Sequence, residues 1–474
     1  MKIIKEIIAK SDIKFGTSGA RGLVVDFTLE VCTAFTISFL DAMNKRFEFK
    51  KVAVGMDNRP SSPNMASIVC ATIEAYGFEV DFYGVLPTPA LALQSIKDKV
   101  PSIMITGSHI PYDRNGLKFY RPDGEISKED ESNILNNSNQ IKLVKSHLPQ
   151  KKDNASLNYM NRYTNFFRRK CLMGIKVGIY EHSSAGRDLY PELFKSLGAE
   201  VVSLGRSDEF VPIDTEAVAE IDKNRAKDWS KEYNFDAIFS TDGDGDRPLI
   251  ADENGDWLRG DIVGLLTSYI LGIEALAFPV SCNTAIEKSN FFINVRRTRI
   301  GSPYVIEAFD HLEAYKSFAG FEANGGFLLG STLKQDENIL DALPTRDALL
   351  PFIVLLSQSV KEEIALSKLV QDLPQIFTSS DRIQDFPREN SIKLLEIGAS
   401  NPEALLKNFV LGEFKVVDIN DIDGLRITLD NEVVVHLRPS GNAPELRCYI
   451  ETNSQDFSDN LVNQVLSFIR DMKL

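Results

Sequence analysis

Apolar and polar positions follow one another along the chain in a pattern that predicts repeated strand–helix–strand units. Each unit has a buried strand, a polar turn, a helix, and a glycine that introduces the next strand. The first unit runs from Lys51 to Tyr83 and the second from Lys176 to Leu204, and a weaker third copy is expected around Phe278 to Val295. Such units build parallel sheets that helices cover, so the pattern predicts an α/β unit that is reused in successive domains.

The pattern predicts domain boundaries at two places and a change of architecture at a third. The stretch Asn136–Asn158 is polar with little periodicity, and a second boundary is expected after the Asp252–Asp256 turn. From Lys415 onward, four short strands separated by turn residues precede a helix that is expected from about Asp459, which is typical of an antiparallel sheet with helix cover. The predicted domains are 1–150, 151–255, 256–372 and 373–474.

The composition limits the kinds of partner that the protein is expected to bind. The chain has 474 residues with 53 Lys and Arg against 67 Asp and Glu, and this net charge of −14 disfavours a broad basic face for nucleic acid or anionic lipid. A locally basic cleft stays possible.

The apolar stretches and the spacing of the cysteines indicate the compartment in which the protein works. The longest apolar stretch, Ile262–Val280, is interrupted by Glu274 and Pro279, and Met1–Asp12 lacks the apolar core of a signal peptide. The five cysteines are scattered singly, with no CxxC pair. We therefore expect a soluble cytoplasmic protein.

Two polar clusters follow predicted strands and suggest chemistry. Ser108 lies in the segment Thr106–Pro111 directly after an apolar run, beside a glycine that permits a tight turn. Its hydroxyl could be a nucleophile or a phosphate carrier, although this segment taken alone is more typical of an ordinary turn.

The second cluster places Asp242, Asp244 and Asp246 at alternate positions with glycines between them. These carboxylates repel one another unless a cation lies among them, which indicates a hard divalent ion such as Mg2+. An EF-hand is excluded because Arg247 occupies the sixth position, where that loop needs glycine. A solvated acidic turn is the remaining alternative.

Two further loops carry groups suited to sugars and phosphates. Glu322 and Asn324 lie in a glycine-rich loop and could hydrogen-bond paired hydroxyls. A later turn offers an anion-binding set made of Arg438, Ser440, Gly441, Asn442 and Arg447. Each loop alone could be an ordinary surface loop or hairpin. Together with the serine and the metal loop, they are the parts needed to move a phosphoryl group on a sugar phosphate, and no P-loop indicates a nucleotide donor.

These motifs resemble the α-D-phosphohexomutase family. The likeness includes Phe15–Gly22, Gly55–Ser61, the Ser108 loop with Asn115–Lys118, and the Asp242, Glu322 and Arg438 loops, in the family order across nearly the whole chain. The resemblance implies four domains around a central cleft, three of them α/β with mixed sheets and the last an antiparallel sheet with helices.

The same resemblance implies roles for individual residues. Ser108 would carry the phosphoryl group, and Mg2+ would be held by Asp242, Asp244, Asp246 and the group on Ser108. Arg21, Arg247 and Lys118 would supply positive charge, with Lys118 or His109 as the group that transfers a proton. Glu322, Asn324, Gly301 and Ser302 are assigned to sugar binding, and the Arg438 turn would hold the phosphate of the substrate that is not being transferred.

Two departures from the family pattern concern the serine and sugar loops. The serine loop more usually reads Thr-Ala-Ser-His-Asn-Pro, whereas this chain has Gly107 and Ile110. The sugar loop more often reads Gly-Glu-x-Ser-Gly-His, whereas this chain has Asn324 and Gly326 at the Ser and His positions.

The resemblance is strongest to bacterial phosphomannomutases and phosphoglucomutases. It implies interconversion of mannose 6-phosphate and mannose 1-phosphate, with glucose phosphates as further candidate substrates. The reaction would pass through a hexose 1,6-bisphosphate that also serves as activator. A glucosamine- or acetylglucosamine-phosphate mutase and a non-catalytic sugar-phosphate-binding protein are the alternatives. A monomer or weak homodimer is expected.

Overall fold

The computed structural model describes residues 2–16, 19–168, 170–409, 411–440 and 444–472. Its elements form four successive domains, three with mixed α/β sheets and a fourth with an antiparallel sheet. The predicted architecture is therefore confirmed, while the predicted residue limits of the domains stay predictions.

The first domain has a seven-stranded mixed sheet in the order β1-β2-β6-β5-β3-β4, with β7 paired to β6. Its helices are α1 Ile4–Lys10, α2 Leu29–Asn44, α3 Ser62–Ala75, α4 Thr88–Asp98 and α5 Lys128–Leu135. Its strands are β1 Lys14–Phe15, β2 Gly19–Leu23, β3 Lys51–Met56, β4 Glu79–Val85, β5 Ser102–Ile105, β6 Arg114–Arg121 and β7 Gly124–Glu125. The predicted β3–α3–β4 unit is present, with β3 and β4 parallel.

The second domain has a four-stranded sheet in the order β11-β10-β8-β9. Its elements are α6 Asn154–Phe166, β8 Lys176–Tyr180, α7 Tyr190–Ser196, β9 Glu200–Leu204, α8 Glu220–Tyr233, β10 Ala237–Thr241 and β11 Pro248–Ala251. Strands β10 and β11 are antiparallel, so the acidic loop between them is the turn of a hairpin. The predicted β8–α7–β9 unit is also present.

The third domain has a five-stranded sheet in the order β13-β12-β14-β15-β18 and a separate β16–β17 hairpin. Its helices are α9 Gly260–Ile270, α10 Ala285–Lys288, α11 Ser302–Phe309, α12 Leu349–Glu362 and α13 Leu366–Gln371. Its strands are β12 Ala275–Pro279, β13 Asn294–Thr298, β14 Phe318–Phe321, β15 Phe327–Leu329, β16 Leu333–Gln335, β17 Asn338–Leu340 and β18 Leu343–Asp347. The weaker third copy is thus the parallel β12–α10–β13 unit.

The fourth domain has an antiparallel sheet in the order β19-β23-β22-β21-β20. Its elements are β19 Phe377–Ile383, α14 Arg388–Ser400, α15 Pro402–Asn408, β20 Val416–Asn420, β21 Leu425–Leu429, β22 Val434–Pro439, β23 Leu446–Thr452 and α16 Gln455–Asp471. The last helix begins four residues before the expected Asp459, because the Ser454 hydroxyl caps it by accepting from the Phe457 amide.

One strand of this sheet, β19, was not predicted. It lies far from the other four in sequence and pairs with β23 at the sheet edge, so only the tertiary fold identifies it. Among the described residues, no helix is long and apolar enough to cross a membrane.

Candidate active site at the junction of the domains

The reactive serine predicted from the sequence lies in a strained turn directly after β5. Ser108 is buried and has a left-handed backbone, with φ of 56°. Its amide donates to the Thr106 hydroxyl at 2.8 Å, and its own hydroxyl donates to the Asp242 carboxylate at 2.6 Å. The fold therefore brings the serine loop of the first domain against the acidic loop of the second.

A buried arginine for which the sequence predicted no role, Arg59, holds the serine loop in place. Arg59 is paired with Asp57 at 3.2 Å, and its guanidinium lies 3.9 Å from the centre of the Phe210 ring. It also donates at 2.6–2.9 Å to four backbone carbonyl oxygens of this segment, those of Ser108, Ile110, Pro111 and Arg114. Charge-assisted bonds to several carbonyl groups fix the path of the backbone around the serine.

The unusual Gly107 has a physical reason in this contact. A Cβ atom at this position would lie 2.7 Å from the Arg59 Cζ atom. The glycine therefore makes room for the guanidinium that holds the loop.

Gly107→Ala should consequently destabilise the protein, although alanine is the residue more usual in the family pattern. Arg59 cannot swing away without losing its buried hydrogen bonds, so we expect a loss of about 1 to 3 kcal/mol in the free energy of unfolding. Denaturant unfolding measures it. Gly16→Ala is the control, since a Cβ atom there meets its nearest neighbour at 3.7 Å. Equal stability of both variants would contradict the expectation.

The acidic loop has the donor set for a divalent cation. Asp242, Asp244 and Asp246 are buried, and one oxygen atom from each lies within 4.8 Å of the others. Thr88 donates its hydroxyl to Asp244 Oδ2 at 2.7 Å. Among the residues that the structure describes, nothing hydrogen-bonds to the buried Oδ1 atoms of Asp244 and Asp246. Buried carboxylate oxygens without hydrogen-bond partners are costly, and a hard cation such as Mg2+ would satisfy them.

The electrostatics of the loop lead to the same conclusion. Burial, together with the charges of Asp244 and Asp246, raises the pKa of Asp242 well above its ordinary value. Burial would also raise the pKa of Asp246, but Arg346 and Lys118 instead hold it well below its ordinary value. A bound divalent cation would remove the repulsion that acts on Asp242.

The basic side chains that were predicted to supply positive charge surround the acidic loop. Lys118 Nζ lies 2.5 Å from Asp246 Oδ2, and Arg247 Nε lies 3.7 Å from Asp246 Oδ1. Arg21 is opposite Gly116 in the β2–β6 ladder. Burial and the charge of Arg247 lower the pKa of Arg21 to about 10, although Asp244 acts in the opposite direction. The sequence-predicted cations thus come together, although they belong to two domains.

His109 has an environment that keeps its imidazole neutral. The side chain is hydrogen-bonded through Nδ1 to the Arg247 guanidinium. Burial and the Arg247 charge lower the pKa of His109 to about 3. An arginine can only donate, so Nδ1 accepts in this contact and the ring carries its proton on Nε2.

The sugar loop lies between β14 and β15 of the third domain. Glu322 is buried and accepts from Arg346 Nη1 at 2.9 Å. The Asn324 side chain accepts from the Gly326 amide at 3.0 Å, within the loop itself. Ser302, at the start of α11 after Gly301, donates its hydroxyl to Glu125 at 2.9 Å. Glu322 and Ser302 are brought together by one shared partner, Arg346.

The Arg438 turn, which is predicted to hold a phosphate, joins β22 to β23 in the fourth domain. Arg438 and Arg447 are directly opposite each other in the ladder, and Arg382 of β19 is opposite Arg447 on its other side. Like charges in adjacent positions are unfavourable. Carboxylates offset part of this repulsion, because Arg438 Nε lies 2.9 Å from Asp423 Oδ1 and Arg382 Nη1 lies 3.7 Å from Glu445 Oε2. Ser440 is buried, whereas Gly441 and Asn442 lie outside the described residues.

Three arginines of this region were missed from the sequence: Arg59, Arg346 and Arg382. The signal for Arg59 was weak but present, because Arg59 lies in the resembling segment Gly55–Ser61. Arg346 and Arg382 belong to strands without a recognisable motif, and only the sheet register brings them beside Gly326 and Arg447.

Comparison with protein families matches this architecture domain by domain. Models of the phosphoglucomutase/phosphomannomutase α/β/α domains I, II and III match residues 12–145, 158–255 and 260–377, and the C-terminal domain model matches residues 386–467. The chain belongs to the phosphoglucomutase/phosphomannomutase family, and it is a phosphohexomutase of the isomerase class.

Individual relatives support the same assignment. The chain is 57% identical over 466 residues to a phosphomannomutase of Salmonella muenchen, covering 98% of this chain and 97% of the relative. It is 40% identical to a phosphomannomutase of Sinorhizobium fredii, covering 96% and 98%. A phosphoglucosamine mutase of Campylobacter hominis is 28% identical, covering 76% and 83%.

Solved structures share the fold at low sequence identity. A putative phosphomannomutase of Thermus thermophilus superposes with a TM-score of 0.78 at 18% identity, covering 97% of this chain and 99% of that one. The N-acetylphosphoglucosamine mutase of Aspergillus fumigatus, solved with GlcNAc-6P and magnesium, superposes with a TM-score of 0.62 at 14% identity, covering 99% and 98%.

Proposed function

We propose that this protein interconverts mannose 6-phosphate and mannose 1-phosphate by way of a phosphoserine at position 108. The observation that carries the proposal is the 2.6 Å contact between the Ser108 hydroxyl and Asp242 of the buried acidic loop. The 57% identity to a phosphomannomutase over nearly the whole chain supports mannose as the sugar. A hexose 1,6-bisphosphate is proposed as intermediate and activator.

Asp242, Asp244 and Asp246 would hold Mg2+, together with an oxygen atom of the phosphoryl group on Ser108. When bound, the ion offsets negative charge on the phosphoryl group during transfer. The contact with Asp242 orients the serine hydroxyl, and the Arg59 contacts hold the backbone that carries it. Ser108 is buried in this arrangement, which keeps water from a phosphoserine.

The cations of the site have separate tasks. Asp246 raises the pKa of Lys118 despite its burial, so Lys118 keeps its proton and supplies charge to the transferring group. His109 is a neutral partner of Arg247 and orients that guanidinium. Lys118 would give a proton to the serine oxygen as the phosphoryl group leaves it and would regain one from the attacking sugar hydroxyl. Arg21 and Arg247 would contact the phosphoryl oxygens from the two sides of the junction.

In the same proposal, Glu322, Asn324, Gly301 and Ser302 would bind the sugar. The Arg438 turn, with Ser440, Gly441, Asn442 and Arg447, would hold the phosphate that is not being transferred. The same phosphate-binding turn would serve both half-reactions, because the hexose 1,6-bisphosphate reorients in the site between them. We propose that the protein works in the cytoplasm as a monomer or weak homodimer.

A coupled assay tests the proposal. The protein is supplied with Mg2+, a trace of hexose 1,6-bisphosphate, and the 1-phosphates of mannose, glucose, glucosamine or N-acetylglucosamine in parallel. We expect mannose 1-phosphate to give a kcat/KM at least about tenfold above both amino sugars, because a site must make room or supply a partner for the larger C2 substituent. Preference for an amino sugar would support the proposed phosphoryl transfer but replace mannose as the substrate. Silence on all four sugars would overturn the proposal.

A further inference from the structure

The position at which the family's sugar loop usually has histidine is occupied by Gly326, and another side chain fills the space. A Cβ atom on Gly326 would lie 2.6 Å from both Cγ and Cδ of Arg346. The backbone of Gly326 is not left-handed, so this arginine, and not the backbone conformation, excludes a side chain at 326.

The sheet register places Arg346 against the sugar loop. Strand β15 begins directly after Gly326 and pairs with β18, with Phe327 opposite Asp347. Asp347 accepts from the Tyr159 hydroxyl at 2.6 Å and also from the Tyr163 hydroxyl. Two buried tyrosines of α6 therefore fix the end of β18 that carries Arg346.

The Arg346 side chain joins the metal loop to the sugar loop. It is 2% exposed, its Nε lies 2.9 Å from Asp246 Oδ2, and its Nη1 lies 2.9 Å from Glu322 Oε2. Nη1 also lies 3.2 Å from the Ser302 hydroxyl. The N–H donors of the planar guanidinium are far enough apart to reach the Asp246 and Glu322 carboxylates at the same time. A lysine ammonium has only one nitrogen and does not offer two such separated donors.

The two carboxylates depend on Arg346 to different degrees. Asp246 has a second cation, Lys118, at 2.5 Å from the same oxygen. Glu322 has no other ion-pair partner among the described residues, and no hydrogen bond occupies its Oε1 there. Arg346 thus fixes Glu322 through one oxygen and leaves the other to accept from a ligand.

We propose that Arg346 is a positioning residue for the sugar, which replaces the usual histidine of the loop and orients Glu322 toward the sugar hydroxyls. Gly326 and Arg346 form a coupled pair, since the glycine is needed to admit the arginine. The inference rests on the proposed function, because it concerns the sugar that the same site binds.

Arg346→Lys tests the positioning role in the full-length protein. We expect the KM for mannose 1-phosphate to rise about tenfold or more, because lysine keeps the charge but cannot hold Glu322 and Asp246 together. We expect kcat and the Mg2+ concentration for half-maximal activity to stay within about threefold, because Lys118 still pairs with Asp246. An unchanged KM in a folded variant, or a loss of kcat and Mg2+ response without a change in KM, would overturn the proposal.

A swapped variant tests the replacement of the histidine. Arg346→Ala alone should raise KM strongly, and Arg346→Ala with Gly326→His should restore KM to within about threefold of the original protein, since an imidazole then fills the vacated space. A double variant no better than Arg346→Ala would overturn the coupled pair.

Arg297→Lys is the matched control, because Arg297 forms a comparable pair with Glu287 at 2.6 Å in the same domain. It should leave KM unchanged. The original protein is assayed first with all four sugar 1-phosphates. Failure of the proposed function therefore appears as silence of the original protein, whereas failure of this inference appears only in the variants.

Discussion

Ser108→Ala should abolish turnover of mannose 1-phosphate while leaving the fold intact. In the proposed mechanism the serine hydroxyl carries the phosphoryl group, so its loss removes the covalent step itself. We expect kcat to fall by a factor of about 10,000 or more, as it does when an enzyme loses its nucleophile. Stability should change little, because Arg59 holds the loop through its backbone and the substitution removes a single side-chain bond, that of the hydroxyl to Asp242.

Three measurements check this expectation. The coupled assay gives kcat, thermal unfolding reports the fold, and intact mass after incubation with hexose 1,6-bisphosphate shows whether a phosphoryl group is retained. Ser67→Ala is the matched control, because the Ser67 hydroxyl donates only to the Asn64 carbonyl of its own helix. A Ser108→Ala protein with measurable turnover, or one that still gains phosphate at the same site, would overturn the mechanism.

Asp244→Asn should weaken Mg2+ binding and activity together. In the present arrangement Asp244 uses Oδ2 for the Thr88 hydroxyl, and its Oδ1 has no partner among the described residues. The substitution keeps the shape of the side chain but removes the negative charge that attracts the ion. We expect the half-maximal Mg2+ concentration to rise about tenfold or more and kcat to fall about a hundredfold.

Titration of activity with Mg2+ after treatment with a chelator separates the two effects, and calorimetry measures ion binding without turnover. Asp228→Asn is the matched control, because it makes the same charge change on the exposed face of α8. Full activity of the Asp244→Asn variant at low Mg2+ would contradict the assignment of the acidic loop as the metal site.

Much of the candidate site could be predicted because its motifs are local, while the roles of its residues stay predictions. The carboxylates of the aspartates that alternate with glycines at 242–246 repel one another without a cation. The serine turn follows directly after a strand. What could not be predicted is which residues of different domains meet. The contact of Arg346 with Glu322 and Asp246 joins three separate stretches of chain, and no local pattern marks Arg346.

The sequence by itself determined the four-domain α/β architecture, the order of the functional loops and the family. Only the tertiary structure decided that Gly107 makes room for Arg59, that Gly326 makes room for Arg346, and that β19 completes the last sheet. The physical reason is the range of the interactions. Periodicity and turn chemistry act between near neighbours in the chain, whereas close packing and ion pairing act between atoms that only the folded backbone brings together.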